Sequence, residues 1–146
     1  MSALFITKLE EIITKSNVLN SQFQEVQGQS TFVFEFLLSD VKQKGGFLIA
    51  ENDDFNLLQI FVRYPHTVSK ENIPQALVAL NRINSISIAG FLMLSEENER
   101  HYIHYKANLV LSKQSTESNY PENELLVFIN SNLDMIEAFN DDLFKK

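Results

Sequence analysis

The sequence predicts an α+β two-layer sandwich, in which helices cover one face of a mostly antiparallel five-stranded sheet. Several stretches alternate apolar and polar residues with the period of two that is typical of β-strands. Other stretches repeat apolar residues every three or four positions, as amphipathic helices do. The predicted order is helix, three strands, helix, two strands, helix, and short polar turns between consecutive strands favour antiparallel pairing.

Composition limits the classes of protein to consider. The 146 residues are typical of a single domain, and a 45% hydrophobic fraction with 12 Phe supplies a core without disulfides. The chain has no Cys, so thiolate metal sites and a cysteine nucleophile are excluded. A net charge of -7 disfavours binding to nucleic acid or to an anionic membrane surface. The N-terminus lacks the basic start of a signal peptide, and we expect a cytoplasmic protein.

The N-terminal half contains one predicted helix and three predicted strands. The helix spans residues 3–17, and residues 22–29 are either a short strand or an extended lead-in. The strands follow at residues 31–39, 47–51 and 55–64. We assign Gly45-Gly46 to the first turn between them, and we expect Pro65 to end the third strand.

The C-terminal half contains the remaining elements. Pro74 suits the first turn of a second helix, which buries Leu77, Leu80 and Ile83 and ends near Asn84. Strands are predicted over residues 90–95 and 101–111. After a polar loop, Pro121 suits the start of a last helix with a long apolar stripe.

One run of residues resembles a known family. Leu80-Asn81-Arg82-Ile83-Asn84, then Gly90-Phe91, then His104-Tyr105-Lys106, together with the order of elements, resemble the YbjN family over residues 31–143. The resemblance implies a fold similar to that of type III secretion chaperones, which are small acidic dimers that hold an extended segment of a client. It implies a homodimer and a regulator of sensory transduction, and it transfers no catalytic residue.

The sequence carries no pattern that indicates catalysis or metal binding. His101 and His104 are three residues apart, which on a strand places them on opposite faces, so they cannot share one ion. The acidic pairs and runs lack the spacing and glycine of a calcium loop. No nucleophile elbow, phosphate-binding loop or zinc-protease motif is present. We therefore expect a protein that is not an enzyme, with no cofactor and no metal.

The polar residues at the end of the second helix have two interpretations. In the structural one, Asn84 caps the helix C-terminus and Asn81 bonds the neighbouring strand or turn. In the functional one, Asn81, Arg82 and Asn84 line a groove for a ligand. We favour the structural interpretation, because asparagine is a common helix terminator.

Surplus apolar residues are the more informative feature. The strand over residues 55–64 is apolar on both faces, while a two-layer sandwich covers only one. The exposed face then needs a second subunit or a client segment, unless the first helix or residues 22–29 cover it.

Two functions follow from these observations. The first is a non-catalytic protein-binding module, chaperone-like or regulatory, with Phe61 on its binding face. The alternative is a small ligand-responsive regulatory domain with a pocket near Arg63, Asn81, Arg82 and Tyr105.

Overall fold

The computed structural model describes residues 3–26, 28–87, 89–112 and 121–144. Its three described α-helices and six strands follow in the order α1 (Ala3–Lys15), β1 (Asn20–Val26), β2 (Gln29–Leu38), β3 (Val41–Glu51), β4 (Phe55–Val68), α2 (Ile73–Ile86), β5 (Phe91–Glu97), β6 (Arg100–Ser112) and α3 (Glu122–Phe144). A single 3-10 turn, Lys70–Asn72, precedes α2. None of the described helices combines the length and the apolar character that crossing a membrane requires.

The sheet is antiparallel throughout, with the strand order β1-β2-β3-β4-β6-β5. The predicted α+β class is confirmed, but the predicted count of five strands is wrong. The sixth strand is β1, which arises from the ambiguous stretch. Its sequence shows little apolar alternation because it is an edge strand, in which Phe23 packs against Phe32 with ring centroids 5.2 Å apart.

Two hairpins turn more tightly than the sequence predicts. Ser39 and Asp40 take φ values of 50° and 65°, and Asn98 and Glu99 take 52° and 65°. Positive φ at both central residues matches the twist of the flanking strands and needs only two residues. The assignment of Gly45-Gly46 to a turn is therefore wrong, since both glycines lie inside β3.

β4 continues beyond Pro65, so the prediction that this proline ends the strand is wrong. The pairing with β6 changes register between Arg63 and Thr67, and the pairing with β3 is already over at Val62. Proline lacks an N–H to donate, and this irregular stretch is a place where a sheet tolerates it.

The core lies between the helices and one face of the sheet. β2, β4 and β6 present their buried residues to this layer at every second position, as the alternation predicts. α3 packs on those three strands, and α1 packs on β1 and α3. Two tyrosines tie the sheet to α3, because Tyr64 Oη donates to the carbonyl of Ile136 at 3.0 Å and Tyr105 Oη donates to Oδ1 of Asn132.

α2 lies beside the outermost strand, β5, and Asn84 joins the two. Asn84 Oδ1 accepts from the N–H of Leu92 at 2.8 Å, and Asn84 Nδ2 donates to the carbonyl of Leu92 at 2.9 Å. One side-chain amide thus satisfies the outward N–H and carbonyl of Leu92, two of the backbone groups that an edge strand leaves unpaired. The predicted capping role of Asn84 is wrong, because α2 continues to Ile86 and both side-chain polar atoms of Asn84 bond Leu92. The prediction that Leu77 is buried is also wrong, because this side chain is 45% exposed.

We predict that Asn84→Ala lowers the free energy of unfolding by about 1–2 kcal/mol, because a half-buried N–H and a carbonyl of β5 both lose their partner. Urea denaturation followed by circular dichroism measures the change. Asn81→Ala is the matched control on the same helix, where an exposed side chain should change stability by less than about 0.5 kcal/mol. Equal effects of the two substitutions would contradict the edge-pairing role.

Candidate functional site

None of the described helices covers the opposite face of the sheet. Neither α1 nor β1 covers it, since α1 buries its apolar stripe on the core side and β1 extends the sheet. We call this surface the open face. Its apolar side chains, placed by strand alternation, are half-buried or exposed: Val33, Leu37, Leu48, Leu57, Phe61, Phe91, Met93 and Val110.

A groove of about 560 Å³ runs across the strands of the open face. It extends from β2 through β3 and β4 to β6 and the end of β5. Its lining is more apolar than polar, and basic side chains stand among the apolar ones. The lining residues are Gln29, Thr31, Val33, Lys44, Gly45, Gly46, Leu48, Phe61, Arg63, Glu97 and His104.

The two glycines of β3 explain why the groove lies here. Gly46 pairs with Phe61 across the strands, and a Cβ at Gly46 would collide with the Phe61 ring. The ring therefore lies over a strand position that has no side chain, which lowers the surface. Gly45 faces the other way, where a Cβ would collide with Phe34 and Val62 in the core. Consecutive glycines thus serve opposite faces of one strand.

A fixed polar cluster forms one end of the groove. Arg63 pairs with Glu97 at 2.7 Å, and its guanidinium lies 4.2 Å from the ring centroid of Tyr102. The hydrogen bond from Arg63 holds the pKa of the Glu97 carboxyl below its usual range. Both partners are about half exposed, so the pair contributes little to stability. The ion pair instead fixes the orientation of the Arg63 guanidinium at the rim of the groove.

His104 lies beside this cluster, opposite Arg63 on β4 and Met93 on β5. Its Nε2 atom is buried and has no hydrogen-bond partner among the described residues. Desolvation lowers the pKa of the His104 imidazole, Lys106 and Arg63 lower it further, and Glu97 opposes them. A lowered pKa keeps this imidazole neutral at pH 7.

The open face is basic on an acidic protein. Lys42, Lys44, Arg63 and Lys106 lie on it, and the strand alternation gives it two acidic residues near the groove, Glu35 and Glu97. Glu35 accepts a hydrogen bond from Asn20 Nδ2 at 2.8 Å, and Glu97 is paired with Arg63. Glu35 lies opposite Lys44 in the register, but neither Lys44 nor Lys106 forms an ion pair among the described residues, and the basic residues of this face outnumber its two acidic ones.

The predicted site residues separate into three places. Phe61 and Arg63 line the groove. Asn81 and Arg82 are exposed on α2, and Asn84 is bonded to β5. Tyr105 is fully buried on the core side, where burial raises its pKa to about 12. The pocket expected from Arg63, Asn81, Arg82 and Tyr105 is not formed, because alternation puts Arg63 and Tyr105 on opposite faces of the sheet.

Several groove residues were missed by the sequence interpretation. Lys44 and Gly46 lie where the sequence predicts a turn, and Leu48 lies in the predicted strand over residues 47–51, whose two faces the sequence does not distinguish. Their signal was the Gly45-Gly46 pair, which within a strand marks a close approach by other side chains.

The two histidines of β6 lie on opposite faces, as their spacing predicts: His101 approaches Glu96 at 4.0 Å, while His104 is on the open face. Within the described ranges, no three side chains of the His, Asp and Glu types are grouped so that they could hold one metal ion.

Comparison with known proteins gives a structural relationship only. No protein-family model and no curated protein matches the sequence. The fold is similar to the crystal structure of YbjN, a candidate transcription regulator from E. coli, with a TM-score of 0.55 over 94% of this chain and 91% of that one.

The two sequences are 12% identical, so the likeness establishes a shared fold and no more. It confirms the structural part of the predicted resemblance, while the similarity to secretion chaperones stays a prediction. The chain has the YbjN-like α+β fold.

Proposed function

We propose that this protein is a non-catalytic binding module that holds a segment of a partner protein on the open face of its sheet. The observation that carries the proposal is the uncovered groove over Gly46 and Phe61. An apolar surface that the described helices leave uncovered, with polar groups at its rim, is typical of interaction sites.

The composition of the open face supports a protein partner. Phe61, Phe91 and Met93 are residue types enriched in the cores of interfaces. A fixed Arg63 beside an aromatic floor is the kind of anchor on which binding energy concentrates. At the β5 edge, Asn84 of α2 already bonds the outward backbone groups of Leu92, which disfavours strand addition there and makes the open face the better surface.

One observation favours the alternative, a small ligand-responsive regulatory domain. The groove volume of about 560 Å³ lies within the range of small-molecule sites, and Arg63, Glu97 and His104 converge at one end. Native mass spectrometry of protein purified from its source tests this alternative, because a retained small molecule would add a defined mass that Phe61→Asp removes.

The expected homodimer has a candidate surface at the other edge of the sheet. The two-residue turn at Ser39-Asp40 makes Leu38 and Val41 a hydrogen-bonded pair. Because backbone hydrogen bonds alternate sides along a strand, the even-numbered residues of β2 bond to β3 and the odd-numbered residues bond to β1. The N–H and carbonyl groups of Ser21, Phe23 and Glu25 then point away from β2. Antiparallel pairing of two β1 strands about Phe23 would set Glu25 opposite Ser21, without like charges in contact.

We predict that Ser21→Pro converts the dimer to a monomer. The substitution removes an outward N–H of β1 and leaves the ladder with β2 intact. Sedimentation velocity at micromolar concentration measures the change, and Ser21→Ala is the control that should stay dimeric. A dimer that persists in Ser21→Pro would place the interface elsewhere, and a monomeric parent protein would contradict the homodimer prediction.

We predict that Phe61→Asp abolishes capture of the partner. A charge over Gly46 makes the floor of the groove polar, whereas Val78→Asp, a control on the exposed side of α2, leaves the groove unchanged. Immobilised parent protein and both variants are exposed to lysate of the source organism, and retained proteins are identified by mass spectrometry.

A protein retained by the parent and by Val78→Asp, and lost with Phe61→Asp, supports the module. Leu48→Asn, a milder change in the same groove, should weaken the same capture. Retention that is indifferent to both groove variants would contradict the proposal, provided circular dichroism shows that the variants are folded.

A further inference from the structure

We propose that the segment held on the open face is acidic, with apolar anchors between its carboxylates. This inference rests on the proposed function and deepens it, since it names the chemistry of the partner. It is carried by the contrast between the charge of the whole protein and the charge around the groove.

The charge of the open face is opposite in sign to the net charge of the whole protein. The protein has a net charge of -7, yet Lys42, Lys44, Arg63 and Lys106 lie together on the open face. Charge of one sign concentrated in a cleft draws ligands of the opposite sign and fixes their register. A basic segment would meet these four side chains, so the face selects against it.

Part of the positive charge of the open face is available to a partner. Arg63 is already compensated by Glu97, at 2.7 Å. Lys44 lines the groove and is exposed, and Lys106 sits directly between Phe61 and Phe91 in the cross-strand register. Among the described residues, neither lysine forms an ion pair, although Glu35 lies opposite Lys44 in the register. The ammonium group of Lys106, between two Phe side chains, is the one that a partner carboxylate reaches most directly.

The floor of the groove is apolar and requires apolar side chains in the partner. The groove floor is formed by the Phe61 ring over Gly46, with Leu48 and Val33 beside it. A purely acidic segment would leave this floor in contact with water, whereas a Phe or Leu side chain of the partner would bury it. The floor and the lysines together fit a segment that carries both apolar and acidic residues, with an apolar side chain over Phe61 and carboxylates reaching sideways to Lys44 and Lys106 beside the floor.

A second copy of this chain fits the open face less well. If two open faces came together, the four basic residues of each copy would face a surface that carries the same four basic residues and only two acidic ones near the groove, Glu35 and Glu97. Like charges in contact across an interface cost free energy, so the face is complementary to an acidic partner rather than to itself.

The test uses three short fluorescein-labelled peptides that share Phe and Leu at the same alternate positions. The positions between carry Glu in one peptide, Gln in the second and Lys in the third. Fluorescence anisotropy with the full chain measures each dissociation constant. We expect the Glu peptide to bind about tenfold more tightly than the Lys peptide, and the difference to shrink at high salt because exposed charges are screened.

Charge reversal on the protein provides the matched variants. Lys44→Glu combined with Lys106→Glu should remove or reverse the preference for the Glu peptide. Lys70→Glu, which changes the net charge outside the groove, should leave the preference intact. Lys44 is exposed and Lys106 is half-buried beside the groove, both on the open face and outside the core, so circular dichroism of the double variant should match that of the parent.

The outcomes separate this inference from the proposed function. Equal binding of all three peptides, lost in Phe61→Asp, would keep the binding module and overturn the acidic preference. Binding of none, or binding indifferent to Phe61→Asp, would contradict both. A parent protein that self-associates, and becomes monomeric only in Phe61→Asp, would show that a second copy occupies the face and would also overturn the inference.

Discussion

α3 is held against the sheet along most of its length, and this packing sets the character of both faces. Its buried residues Leu125, Ile129, Ile136 and Phe139 lie over β2, β4 and β6, while Tyr64 and Tyr105 each bond it from the sheet. α1 completes the layer, with Lys15 paired to Glu122 at 2.6 Å where α3 begins. The described helices all pack on this face of the sheet. None of them therefore covers the apolar side chains on the opposite face, which line the groove or are exposed to solvent.

The open face and the two sheet edges show different solutions to exposed strands. At the β5 edge, the Asn84 side chain bonds the outward N–H and carbonyl of Leu92, as the backbone of a neighbouring strand would. The β1 edge is short and polar, and the described part of the chain places no further strand beside it. On the open face, Gly45 and Gly46 let aromatic rings approach β3 from both sides, so a core contact and the groove depend on the same dipeptide.

Strand alternation made much of the fold predictable, because a strand buried on one face shows the period of two in its own sequence. β2 and β6 follow the predicted faces for this reason. The sequence leaves β1 ambiguous because an edge strand with one packed residue, Phe23, carries no such period. The sequence predicts a turn at Gly45-Gly46 because the contacts that need glycine come from Phe34 and Phe61, which are remote along the chain. Of the six predicted site residues, Phe61 and Arg63 lie in the groove, and Tyr105 does not, since strand parity places it in the core.

Hydroxyl-radical footprinting with residue-level mass spectrometry shows whether one face of the sheet is bare in the free protein. We expect Phe61 and Phe91 to be oxidised readily at low micromolar concentration, while Phe34 and Phe47, fully buried in the core, are protected. If Phe61 and Phe91 were as protected as Phe47 across a dilution series, the chain itself would cover the open face, and no binding surface would be available there.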